Sequence, residues 1–478
     1  MLLVTKTLNG TNERRVSSFS ACSAMFWCVV LATTAARRDV VVVNDTFVNT
    51  STGKPVLLVG ANVVMKGPPW IPAVSGDAIC DTAPSSGANT SCATFNAADA
   101  RNLKHRLGYN FIRLGVVWAG AQPNGAGTPL DAAWLARLGA LLDLAHAHGI
   151  AVLLDLHQDA VGTATCGEGV PQWFSAQATP GLIGKPLWPL PAQPDGSCGA
   201  NDTAGWGEYG GDSQYNIKNR CCRLTNQGSW GRLGYTVQAQ ETMLHLFASA
   251  KGRAAFAAFA GALAEAVEKH PAAMGLELMN EPPAIFRREM YLTWQACYDA
   301  VRAVSTDLAV SVQDTSQAAL PLGDLDLAAA TVEWLKGASG IFYAFHWYGS
   351  PKTPAAAFAN AKRLAAGWGG RPTLLTEFGG YGDDPVSGGC AVQRAARDAG
   401  IGSAFWHYSD YCWPKYVCAL RHNSALALAQ TPRYRSECYP PLYPPDPPEP
   451  TPPTRLRHQS VSSLLECWLL TPWLLTPF

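Results

Sequence analysis

Two short runs end an apolar stretch on a glutamate. "LELMNEPP", residues 276–283, carries Asn280 and Glu281 ahead of two prolines, and "TLLTEFGG", residues 373–380, carries Glu377. A polar pair at the end of a buried strand costs solvation unless it is hydrogen-bonded or used. Two carboxyls on facing strand ends suit the cleavage of an acetal: one protonates the leaving oxygen and the other attacks the anomeric carbon. Retention of configuration needs them about 5–5.5 Å apart. At that separation, and an effective dielectric of about 20, their repulsion is roughly 3 kcal/mol, or about 2 pK units. One can therefore stay protonated while the other is ionised. Further polar residues close other apolar runs: Arg113 in "NFIRLGV", Asp155, His157 and Asp159 in "DLHQD", His346 and Tyr348 in "IFYAFHWY", and Trp406 in "SAFWHY". His157 and Asp159 share a direction if the strand stays extended. Any one of these reads as a satisfied strand-end residue, but their recurrence on strand after strand points to a site.

The elements that must position them alternate between residues 55 and 410. Short apolar runs fall at 55–63, 110–116, 151–157, 274–281, 308–314, 341–348, 373–379 and 403–408. Helical patterns lie between, such as "DAAWLARLGALLDLAHAHG" at 131–149, whose apolar positions recur at helical spacing. Eight parallel strands with helical crossovers predict an α/β fold, a (β/α)8 TIM barrel, which carries its site at the C-terminal ends of the strands. A doubly wound sheet would need a glycine-rich phosphate loop after its first strand, and the sequence has none. The stretch 160–231 is a long Gly-, Trp- and Cys-rich insertion after the third strand. Its Cys166, Cys198, Cys221 and Cys222, with Cys80 and Cys92 before it and Cys390, Cys412, Cys418 and Cys438 after it, predict disulfides stapling long loops. With no paired CxxC motif and no ligand spacing among the histidines, neither a metal nor a cofactor is expected.

Lys and Arg together number 36, as do Asp and Glu, so no net field draws nucleic acid to the chain. Residues 1–36 read as a signal peptide: Arg14 and Arg15 precede "AMFWCVVLATTAA", which closes on Ala35 and Ala36. Sequons at Asn44, Asn49, Asn89 and Asn201 agree with a secreted or endomembrane-lumen protein. The catalytic domain is expected over 40–420. A stiff Pro-rich linker follows at 438–455, then an apolar tail at 456–478 of no assigned role.

The Asn-Glu-Pro after strand four, the His-x-Tyr of strand six, the Glu of strand seven and the Trp of strand eight resemble the retaining glycoside hydrolases of family 5 over roughly 45–415. Within that family "NFIRLGVVWAGAQP", "VLLDLHQDA" and "LLTEFGG" are most similar to endoglycoceramidases and related glycosylceramidases. The resemblance implies Glu281 as acid/base and Glu377 as nucleophile, with Arg113, Asn280, His346 and Tyr348 supporting them. It implies Lys66, His157, Asp159 and Trp406 around the glycone. Asn280 would donate to the sugar 2-hydroxyl, Arg113 would hold Glu377 ionised, and "GVVWAGAQP" and "VPQWF" would line a slot for lipid chains. The expected substrate is then a glycolipid, cut between headgroup and ceramide, by a monomer touching membrane surfaces transiently. A glucanase or mannanase acting on oligosaccharide, or a non-catalytic carbohydrate-binding protein, are the alternatives. One departure stands out. The resemblance implies a C-terminal β-sandwich, whereas only about 60 residues follow Cys418.

Overall fold

The computed structural model describes residues 37–65, 69–75, 94–165, 167–183, 187, 230–283, 287–313, 329–349, 353–379, 385–406, 408, 412–413 and 416–418. The signal-like segment, Lys66, Asn89, Asn201, Cys80, Cys92, the four insertion cysteines, the Pro-rich linker and the apolar tail lie outside them.

Eight strands close into a parallel barrel. In chain order they are β4 (Val59–Val63), β5 (Phe111–Val116), β6 (Ala151–Leu156), β7 (Ala273–Glu277), β8 (Ala309–Gln313), β9 (Ile341–Trp347), β10 (Thr373–Phe378) and β11 (Gly402–Phe405). β11 pairs back onto β4 and closes the ring. The alternation of side chains along each strand splits the core in two. Ile112, Leu114, Val152 and Leu154 point outward into the layer shared with the helices. Phe111, Leu153, Phe342 and Leu374 point inward and fill the lower barrel. Gly60 is needed on β4, since a Cβ there would meet the Phe111 carbonyl oxygen at 1.9 Å. The 131–149 pattern forms a helix over Ala132–Ala147, capped by the Asp131 carboxylate on Trp134 N and burying Trp134, Leu138, Leu141, Leu142 and Ala145.

Below the barrel, β1 (Val40–Val43), β2 (Thr46–Asn49) and β3 (Lys54–Pro55) make a small antiparallel sheet. Val40 and Phe47 join the inward apolar cluster, and Phe47 meets Phe342 edge-on with centroids 5.3 Å apart. Arg38, 1 % exposed, staples this plug. It donates to Asp307, Ser305, the Glu268 carboxylate and the carbonyls of Glu268 and Ala273. Asn44 and Asn49 lie on the β1–β2 hairpin.

Two expectations change. Strand β7 ends at Glu277, four residues before Glu281. Asn280 and Glu281 stand on the turn that follows, because the chain must leave the sheet ahead of Pro282 and Pro283. The residues expected to line a lipid slot are packed among themselves. "VPQWF" runs into a helix over Gln172–Ala178, and Trp118, 3 % exposed, packs against Trp173, Phe174, Phe256 and Phe259. These aromatics pack on one another and on the helix Ala250–Val267, which contributes Phe256 and Phe259.

Candidate active site

The upper barrel is filled with charge. Arg113, inward on β5 and 0 % exposed, stands at the centre. Its Nε and Nη2 donate to the two oxygens of Glu277 at 2.8 and 3.2 Å, and Nη2 also lies 2.9 Å from Asp155 Oδ1. Its Nη1 donates to Asn62 Oδ1 at 2.8 Å and Glu377 Oε2 at 3.3 Å, and Nη2 reaches Asn280 Oδ1 at 2.9 Å. Burial disfavours the guanidinium charge, but Asp155, Glu277 and Glu377 outweigh that and push its pKa up. The planar fork suits this multiple pairing.

Glu377 stands one residue before the end of β10, where the register shifts between Leu375 and Glu377. The irregularity lets consecutive side chains reach into the site: Thr376 Oγ1 donates to Glu277 at 3.1 Å, while Glu377 contacts Arg113. Tyr348 Oη donates to Glu377 Oε1 at 2.5 Å. Burial raises the Glu377 pKa most, with Glu281 adding to it; His346, Arg113 and the Tyr348 hydrogen bond act against that. Burial of the phenol end against the site and the Glu377 charge hold the Tyr348 pKa well above its ordinary value, although the residue as a whole is 38 % exposed.

Glu281 adopts φ 41°, a left-handed conformation that costs a non-glycine residue about 1–3 kcal/mol and persists only where the surroundings impose it. Gln158 imposes it here. Its Nε2 donates to the carbonyls of Asn280 and Glu281 at 2.8 and 3.1 Å, and its Oε1 accepts from Val161 N. Asn280 is oriented from both sides, its Oδ1 on Arg113 and its Nδ2 on the Gln158 carbonyl at 2.9 Å. His346 Nδ1 lies 3.0 Å from Glu281 Oε1 and 3.7 Å from Glu377 Oε2. Burial lowers the His346 pKa, so the ring is neutral. A neutral imidazole can accept from a protonated Glu281 or donate to an ionised one, according to tautomer.

His157 places Nδ1 2.6 Å from Asp155 Oδ2 and Nε2 3.5 Å from Asp159 Oδ2. Trp406 stacks on its ring, centroids 5.6 Å apart and planes within 11°. Burial opposes the His157 charge, but Asp155 and Asp159 raise its pKa to about 9. Donor atoms of Glu281, His346 and Glu377 lie within 4.8 Å of one another, as do those of His157, Asp159 and Glu168. Either trio has ligand types a divalent cation accepts. The first is also explained by the hydrogen bond between His346 and Glu281.

Thus Arg113, His157, Asp159, Asn280, Glu281, His346, Tyr348, Glu377 and Trp406 gather at one mouth of the barrel, and Lys66 lies outside the described residues. Sequence reasoning left out Asn62, Gln158, Thr376 and, above all, Glu277. The signal for Glu277 was a charged residue inside the apolar run "MGLELM", at the spacing of inward positions, as Asp155 is inside "VLLDLH".

A model of the family described as Cellulase (glycosyl hydrolase family 5) matches residues 77–411. This chain belongs to glycosyl hydrolase family 5. Among curated relatives, Endoglycoceramidase I of Rhodococcus hoagii (strain 103S) is 30 % identical over 48 % of this chain and 34 % of its own length. Endoglycoceramidase of Hydra vulgaris is 27 % identical over 51 % and 42 %. The chain thus spans well under half the length of these relatives. Among solved structures, endo-glycoceramidase II from Rhodococcus sp., as a lactosyl-enzyme intermediate, superposes with a TM-score of 0.55 at 20 % identity, covering 77 % of this chain and 76 % of that one. An endogalactoceramidase structure superposes with a TM-score of 0.52 at 18 % identity, covering 83 % and 78 %. These likenesses carry the barrel fold.

Proposed function

We propose that this protein is a secreted retaining β-glycosidase that cuts the bond between a sugar headgroup and ceramide. The carrying observation is the pair Glu281 and Glu377, with oxygens within 4.8 Å of each other at the barrel mouth. That proximity supports double displacement rather than the wider separation that admits a water for inversion. Glu377 attacks the anomeric carbon while Glu281 protonates the leaving oxygen. Arg113 and Tyr348 stabilise the ionised nucleophile against the cost of its burial. Forming the glycosyl ester removes the Glu377 charge that keeps the Glu281 proton on, so Glu281 becomes the base for water. His346 accompanies both states. Asn280, having one amide hydrogen on Gln158, offers the other to the sugar 2-hydroxyl, and Trp406 gives the ring an apolar floor beside His157 and Asp159.

The glycolipid assignment is supported by the endoglycoceramidase relatives; one solved structure of the Rhodococcus enzyme is a complex with ganglioside GM3. The matching family description, cellulase, favours a second reading as a β-glucanase. Secretion is supported by the signal-like segment and the sequons. Among the described residues no helix is long and apolar enough to cross a membrane, and contact with a lipid surface is proposed as transient. The test is competition between a glycosylceramide in detergent and a soluble β-glucan. Release of free ceramide is expected; a shortened glucan with no ceramide released selects the second reading.

A further inference from the structure

We infer that Asp155 is a positioning residue that ties recognition of the sugar to alignment of the nucleophile, by sharing one carboxylate between Arg113 and His157. The inference rests on the glycosidase reading for its consequence and on the apo geometry for its existence. Asp155 is 0 % exposed. Its Oδ2 is hydrogen-bonded to the His157 ring at 2.6 Å, and its Oδ1 lies 2.9 Å from Arg113 Nη2 as an ion-pair contact outside hydrogen-bond geometry. The same guanidinium reaches Glu377 at 3.3 Å through its other terminal nitrogen. The guanidinium is a rigid plane, so a displacement of Nη2 on the Asp155 side moves Nη1 on the Glu377 side. At the far end His157 lies on Trp406, where the glycone is placed. One unbroken line therefore runs from the glycone face through His157, Asp155 and Arg113 to the attacking carboxylate.

The geometry also sets the charge state of that line. Both ring nitrogens of His157 face carboxylates, Asp155 on one side and Asp159 on the other, and an ionised carboxylate only accepts hydrogen bonds. Nδ1 is hydrogen-bonded to Asp155, whereas Nε2, 3.5 Å from Asp159 Oδ2, makes no hydrogen bond, so the second proton is favoured by the charge of the two carboxylates. Among the described residues the titratable groups around it are Asp155 from β6 and Asp159 and Glu168 from the following segment, with Arg113 one step further on. Burial opposes the ring's charge, and Asp155 and Asp159 outweigh it, raising its pKa to about 9. Removing the Asp155 charge leaves the ring without its closest anion and Arg113 without one of its anchors. A sugar hydroxyl bound at His157 then no longer bears on Glu377, and kcat falls rather than KM alone rising.

The test begins with the unliganded protein. Nitrogen-15 imidazole NMR across neutral and alkaline pH should show His157 doubly protonated well above neutrality, with loss of its second proton near pH 9. Asp155→Asn should bring that loss to lower pH. In turnover of an aryl β-glycoside, Asp155→Asn should lower kcat about tenfold or more, the scale of a lost charge-assisted contact. The alkaline limb of the pH profile should move down with it. A neutral His157 at pH 7–8 in the wild-type protein overturns the inference, as does a variant with lower melting temperature but an unmoved alkaline limb. If Asp155→Asn does not fold, the wild-type titration decides alone. Should no β-glycoside be cleaved at all, the proposed function fails while the titration still reports on the relay.

Discussion

Replacing Tyr348 by Phe removes the shortest contact to Glu377, 2.5 Å from Oη to Oε1, and leaves the ring in place. Three neighbours work against the burial of that carboxylate: His346, Arg113 and Tyr348. Arg113 is already divided among Asp155, Glu277 and Asn280, and its reach to Glu377 is 3.3 Å. His346 is neutral and 3.7 Å away. A hydrogen bond to a charged group contributes about 1.5–3 kcal/mol. Tyr348 is 38 % exposed, so water can take over part of the lost bond, and the lower end applies, about 1.5 kcal/mol or roughly tenfold in rate. The sign follows from the burial that raises the Glu377 pKa: losing a group that lowers it lets the carboxyl hold its proton to higher pH. The assay is kcat/KM against pH with an aryl β-glycoside of good leaving group. The acid limb should move to higher pH, with about tenfold loss on the acid side and a smaller loss on the plateau. An acid limb that stays put or moves to lower pH refutes the reasoning. Uniform loss at every pH would show that Tyr348 only positions the carboxylate.

Glu377→Gly should abolish turnover of the same substrate and regain it with azide as the α-glycosyl azide, whereas Glu281→Ala with azide should give the β-product; NMR of the products reads both, and a β-azide from the first variant removes Glu377 as nucleophile. Arg38→Ala should destabilise the fold by about 3 kcal/mol, the lower end for a broken buried pair because Glu268 and Asp307 are partly exposed; denaturant melts measure it, and an unchanged midpoint would mean that the plug is not stapled there. By the same reasoning, signal cleavage should leave Arg38 on the mature chain, which mass spectrometry of secreted protein checks. Trp118→Ala should cost about 3–5 kcal/mol as a core truncation without altering preference for acyl-chain length; a changed chain-length profile in the folded variant would restore the lipid slot.

The barrel was legible in the sequence because its strands are short apolar runs separated by helical periodicity, and that pattern survives without knowing which strands touch. The strand-end residues were legible for a related reason: Arg113, His157, Glu281, His346 and Glu377 interrupt or close runs that are otherwise buried, where a polar group is costly unless paired. The partners were not legible. Glu277 sits 164 positions from Arg113 in the chain, and only closure of the ring brings β7 and β5 side chains onto one axis. Nor could periodicity place Asn280 and Glu281, since their setting depends on Gln158, contributed by the preceding strand's loop 122 residues away. The aromatic run at 118 and the one at 173 looked like a lining because sequence tells apolar from polar but not inward from covered. Tertiary structure decided that they bury each other. What the residues determined alone was the kind of fold and the types of group at its mouth; the distances between those groups, and hence which carboxylate is paired and which is poised to react, arise only when eight strand ends converge.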